Sequence, residues 1–83
     1  MKHAGSAALS SLEPLLAELR ERGLVEKKLG VFYRKGRAFL HFHEDPAGLF
    51  ADLRPAEEWL RLAASSAAER RALLKTLDSY LAS

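Results

Sequence analysis

The chain has 83 residues, a formal charge of +2 and no cysteine. Its length suits one domain near the lower limit of unaided folding, and without cysteines it has neither disulfides nor thiolate metal sites, which fits a reducing cytoplasm. No stretch approaches the roughly 18 consecutive apolar residues of a membrane span, and the opening Met1–Leu12 lacks the apolar core and cleavage site of a secretory signal.

Residues 1–8 are small and polar without periodicity, which predicts a flexible N-terminus ahead of a single domain over 9–83. Ser10 or Ser11 can cap a first helix, striped by Leu12, Leu15, Leu16 and Leu19. Pro14 fits its first turn, and Gly23 is a natural stop after Arg20 and Arg22. Leu29–Tyr33 and Ala38–His43 then read as two strands joined by a tight turn at Lys35-Gly36. A two-residue loop opposes Phe32 to Phe39 and Val31 to Leu40. One face is then Leu29, Val31, Tyr33, Ala38, Leu40 and Phe42, the expected core. Lys28, Gly30, Phe32, Phe39, His41 and His43 take the other, and a glycine bulge at Gly36 would shift this register.

Asp45-Pro46-Ala47-Gly48 has the residues of a type I turn in their preferred places. Closing it opposes Glu44 to Leu49, His43 to Phe50, Phe42 to Ala51 and His41 to Asp52; a one-residue slip would bury Asp52 on the core face. Pro55 opens what reads as a short helix from Ala56 to about Ala64, carrying Trp59, Leu60 and Leu62. Ser66 and Glu69 match a capping box for a last helix striped by Leu73, Leu74, Leu77, Tyr80 and Leu81. The expected architecture is a two-layer α+β domain: helix, three-stranded antiparallel meander, two helices.

Parity gathers one constellation. His41, His43 and Asp52 share a face with Phe32, Phe39 and Phe50 around them. The leading expectation is a non-enzymatic module that binds a small ligand or protein through this face, the aromatics supplying shape and the histidines and Asp52 orientation. His41, His43 and Asp52 also have the ligand types for a divalent metal such as zinc, the one cofactor the sequence suggests. Histidine oriented by Asp52 could serve as a general base, although no serine or cysteine nucleophile has a recognisable context. The plain alternative is a half-exposed sheet face where histidines tolerate apolar neighbours and water. Lys27, Lys28, Arg34, Lys35 and Arg37 form a basic run. It suits nucleic-acid phosphates, or a solvated edge that protects a strand from aggregation. Small size and two apolar sheet faces favour a homodimer.

Tyr33–Arg37, Phe39–His43, Glu44–Gly48 and Leu49–Leu53 together resemble a small bacterial family of uncharacterised proteins labelled luciferase-like domain, over roughly residues 12 to 53. The family pattern is a basic strand with a glycine turn, an apolar strand ending His-x-His, an acidic turn and a Leu-Ala-Asp-Leu strand. This chain lacks the later His-His and Ser-Gly-Trp segment of the longer members, so a pocket built from it would be incomplete here or completed by another chain. The label implies no light emission. The hairpins also resemble, more generically, those of MmcQ/YjbR-like proteins. Neither resemblance supplies a catalytic residue.

Overall fold

A computed structural model describes residues 2–82. The elements run β1 (Lys2–His3), α1 (Ser6–Ser11), α2 (Glu13–Arg20), β2 (Val25–Lys28), β3 (Val31–Arg34), β4 (Arg37–Asp45), β5 (Gly48–Leu53), β6 (Leu60–Ala63) and α3 (Ala67–Leu81). The class is α+β, as expected, but the sheet is larger than a three-stranded meander. Five antiparallel strands follow the order β2-β3-β4-β5-β6, and β1 pairs with the end of β4 that β3 does not reach.

The leucine stripe behaves as its spacing predicts: Leu12, Leu15, Leu16 and Leu19 are all buried. The helix is nevertheless broken at Leu12, with Pro14 in the first turn of α2, where its missing N–H costs little. Residues 2–8, where the sequence shows no periodicity, still carry regular structure in β1 and α1. The Glu44 carboxylate accepts the Gly5 N–H at 3.2 Å, at the start of α1.

Two strands escape the sequence reading. Val25–Lys28 is β2, an edge strand whose charged residues lack an apolar alternation. Its lysines give the edge the protection expected of the basic run. Residues 60–63, expected to be helical, form β6 instead. Ala, Glu, Leu and Arg favour a helix locally, but the free backbone edge of β5 needs hydrogen-bond partners, and pairing there seats Leu62 opposite Ala51 against the core.

The hairpin register explains the largest correction. Arg34 pairs with Arg37 and Tyr33 with Ala38, around a turn in which Lys35 (φ 53°) and Gly36 (φ 77°) are both left-handed. Phe32 then pairs with Leu40, not Phe39, because β4 carries one extra residue at that point. The shift moves β3 by one step of the pleat. Phe32 becomes a fully buried core residue, Val31 joins His41 on the opposite face, and Leu29 lies in the β2–β3 turn, 53% exposed. Phe39, at the bulge, is also buried. The two apolar faces on which homodimerisation was expected reduce to one, lined by Phe32, Leu40, Phe42, Ala51 and Leu53 and packed with the leucines of α2 and with Leu73 and Leu77 of α3. All the helical leucines in this core therefore lie on the same side, and α3 covers the core face rather than the histidine face. The capping box holds as predicted: Ser66 accepts the Glu69 N–H and Glu69 accepts the Ser66 N–H. No helix among the described residues is long and apolar enough to cross a membrane.

Three carboxylates make short charge-assisted or capping contacts. Glu26 accepts from Arg20 Nε at 2.6 Å and from Gly30 N–H at 2.9 Å, Asp78 accepts from Arg22 Nε at 2.7 Å, and Glu69 accepts from Ser65 and Ser66 N–H at 2.8 and 3.0 Å. Each is held below its ordinary pKa: Glu26 by Arg20, Asp78 by Arg22, and Glu69 by the Ser66 and Ser65 amides. A depressed carboxylate contributes stability that is complete above its unfolded value, about 4.3 for glutamate or 3.9 for aspartate, and is lost as pH falls through the folded value. The melting temperature should therefore fall from about pH 5 to about pH 3. In an E26Q/D78N variant it should start lower and fall less; parallel curves would refute the assignment. Phe32→Ala should cost about 3–5 kcal/mol in denaturant unfolding, whereas Leu29→Ala should change little. Equal costs would contradict the bulged register.

Candidate metal and ligand site

β4 and β5 build the site by their register. His41 lies opposite Asp52 and His43 opposite Phe50, as the Asp45–Gly48 turn predicts. Neighbouring strands add to the same face: Val31 beside His41, Arg61 beside Asp52, Ala63 beside Phe50, and His3 of β1 beside His43.

At the centre is Asp52, 7% exposed. Its two oxygens accept from Arg61 Nε at 2.9 Å and Nη2 at 3.0 Å, a bidentate pair. Oδ2 also lies 2.9 Å from His43 Nε2. Burial works against the charged carboxylate, but the Arg61 hydrogen bonds and the adjacent His43 outweigh it, and the Asp52 pKa is lowered. His43 Nε2 is likewise 2.9 Å from His41 Nδ1. With the proton on His43 Nε2 and shared with Asp52, Nδ1 of His43 bears a lone pair; it is buried and lacks a hydrogen-bond partner. Burial, and then the neighbouring His43, pushes the His41 pKa below the ordinary histidine value, which favours the neutral ring that binds metals.

His3 completes a cluster. Its ring stacks on His43 at 4.8 Å between centroids and lies 5.5 Å from His41. One ring nitrogen from each of His3, His41 and His43 lies within 4.8 Å of the others. Trp59 meets His41 edge-on at 4.7 Å.

Of the residues expected at the site, His41, His43 and Asp52 converge, and Phe50 shares their face. Phe32 and Phe39 do not form its aromatic surround, because the bulge sends Phe32 into the core and leaves Phe39 buried beneath the Arg34 guanidinium. Both oxygens of Asp52 are engaged by Arg61 and His43, while His3, which stood in no expected set, brings a third ring nitrogen close to those of His41 and His43. His3, Arg61 and Trp59 also belong to the site, though the sequence pattern marks none of them for it. Arg61 would have been found had Leu60–Ala63 been read as an alternating strand; His3 stands in no pattern at all. The basic run is divided, with Lys27 and Lys28 on β2 and Arg34, Lys35 and Arg37 at the tip of the β3–β4 hairpin.

Asp52→Ala leaves His43 Nε2 and Arg61 without their acceptor on a largely buried face. It should lower unfolding stability by about 1–3 kcal/mol, while E57A, whose carboxylate is exposed, should have no measurable effect. Unchanged stability in D52A would show that the network is not formed.

No protein-family model, no curated protein and no solved structure matches this chain.

Proposed function

We propose that this chain is a ligand-binding module whose working site is the histidine face of the sheet, and that a divalent transition-metal ion such as zinc is the ligand it takes. His3, His41 and His43 would hold the ion. The observation that carries this reading is the convergence of three imidazoles, two from β4 and one from β1, which lies about 40 residues away in the chain. Imidazole is a favoured ligand for zinc, and three protein ligands leave a fourth position open to water or a further ligand. Asp52 plays the supporting part that metal sites commonly require, accepting a histidine ring N–H and so fixing tautomer and orientation. The buried, unpartnered Nδ1 of His43 is an acceptor whose cost a cation would relieve. The resemblance to the luciferase-like domain proteins is consistent with this reading, since the motifs behind it include His41, His43 and Asp52.

Calorimetric titration of tagless protein with Zn²⁺ tests it. One ion per chain is expected. Asp52→Asn should weaken binding by about 10–100-fold, as loss of an outer-shell partner does. H3A and H41A should each weaken it at least as much. H3A is the most informative, because its side chain is exposed and its loss should leave the core intact. Binding well below one equivalent, or binding unchanged in the H3A/H41A double variant, would overturn the proposal.

A further inference from the structure

A second site stands on observations separate from the histidines. We infer that the cavity at the tip of the β3–β4 hairpin is a pocket for the phosphate group of a small phosphomonoester. The cavity has a volume of about 180 Å³ and is lined by Arg34, Lys35, Arg37 and Arg54, with Phe39 and Pro55 as its apolar part.

The fold gathers these cations at a cost. Arg34 and Arg37 are direct cross-strand partners, an arrangement in which like charges repel, and the turn between them adds Lys35. Arg54 follows β5 immediately. Its backbone N–H binds Phe39 O at 2.8 Å, and its Nε and Nη2 bind Ala38 O at 3.2 and 2.8 Å. Its guanidinium also lies 4.7 Å from the Trp59 ring centroid. Arg54 is thus held on the two residues at the bulge, while Nη1 has no protein partner among the described residues. Arg34 is laid over the Phe39 ring at 5.6 Å.

Neutralisation is what sets this group apart. Arg20, Arg22 and Arg61 each bind a carboxylate at 2.6–2.9 Å. Around the cavity the acidic contact is Glu57 to Arg37 at 3.7 Å, between side chains 85% and 55% exposed. Arg34, Lys35 and Arg54 have no carboxylate partner among the described residues. Three unneutralised cations around one concavity match a phosphate dianion better than a single carboxylate, and arginine forks bind phosphate oxygens in pairs. The Pro55 and Ala56 surfaces give an organic group somewhere to lie. A nucleic-acid strand would need cations spaced along a path, whereas Lys27 and Lys28 sit apart on β2, with Lys27 Nζ over the Tyr33 ring at 5.2 Å.

Trp59 is the one tryptophan of the chain and touches Arg54, so its emission reports occupation of the pocket. The titration uses protein stripped of metal on a chelating resin, which separates its outcome from that of the zinc proposal. Phenyl phosphate should give a saturable 1:1 change in emission, matched by calorimetry, and inorganic phosphate a weaker one; chloride at equal ionic strength should give neither. The R34Q/K35Q variant, with unchanged circular dichroism, should bind phenyl phosphate roughly tenfold more weakly or worse. A 5′-phosphorylated oligonucleotide binding better than its unphosphorylated form would place the phosphomonoester at a nucleic-acid end rather than on a small metabolite. No saturable binding of phenyl phosphate by either method, unaltered affinity in R34Q/K35Q, or equal binding of both oligonucleotides with no binding of phenyl phosphate would each overturn the inference.

Discussion

The extra residue in β4, between the Tyr33–Ala38 and Phe32–Leu40 pairs, decides which β3 side chains enter the core and which join the histidine face. Strand side chains alternate, so an unbulged hairpin would have put Phe32 opposite Phe39 on the face of His41 and left the core without one of its largest fully buried side chains. The distortion is stabilised from outside the hairpin. The carbonyl of Phe39 is satisfied by the backbone of Arg54, and that of Ala38 by its guanidinium, so the bulge exposes no orphaned acceptor there. β4 can therefore serve two registers, bulged toward β3 and regular toward β5.

On the polar face the controlling group is a charge. A buried carboxylate is costly unless it is paired and hydrogen-bonded, and Asp52 has Arg61 and His43 on its two oxygens. Replacing Asp52, Arg61 and His43 together by packed apolar residues would cost little stability, whereas removing Asp52 alone leaves two donors unpaired. The arrangement holds two imidazoles at fixed orientation in a domain too small to enclose a deep cavity. The third imidazole comes from β1, a two-residue strand added to the exposed end of β4.

Trp59 lies between the two proposed sites, its ring against His41 on one side and Arg54 on the other. Its side chain is 40% exposed, at the end of the bend that precedes β6. The two proposed sites thus share an aromatic neighbour while drawing their residues from different parts of the sheet.

How much of this was legible beforehand followed the range of the interactions involved. The leucine stripes, the Ser66–Glu69 cap, the Lys35-Gly36 turn and the whole β4–β5 register were readable because each depends on residues a few positions apart, or on a turn whose length sets the pairing. With that register the sequence by itself determined that His41, His43 and Asp52 would share a face. It could not determine β6, since four residues of high helical propensity become a strand only when β5 presents an unpaired edge. Nor could it place Phe32, whose side depends on a bulge whose carbonyls are held by Arg54, well removed from the hairpin. The approach of His3 and Arg61 was decided only in three dimensions: β1 pairs with β4 about 40 residues away and two residues carry no periodicity, while the short alternation of β6 is outweighed locally by its helical propensity until β5 offers an edge to pair with.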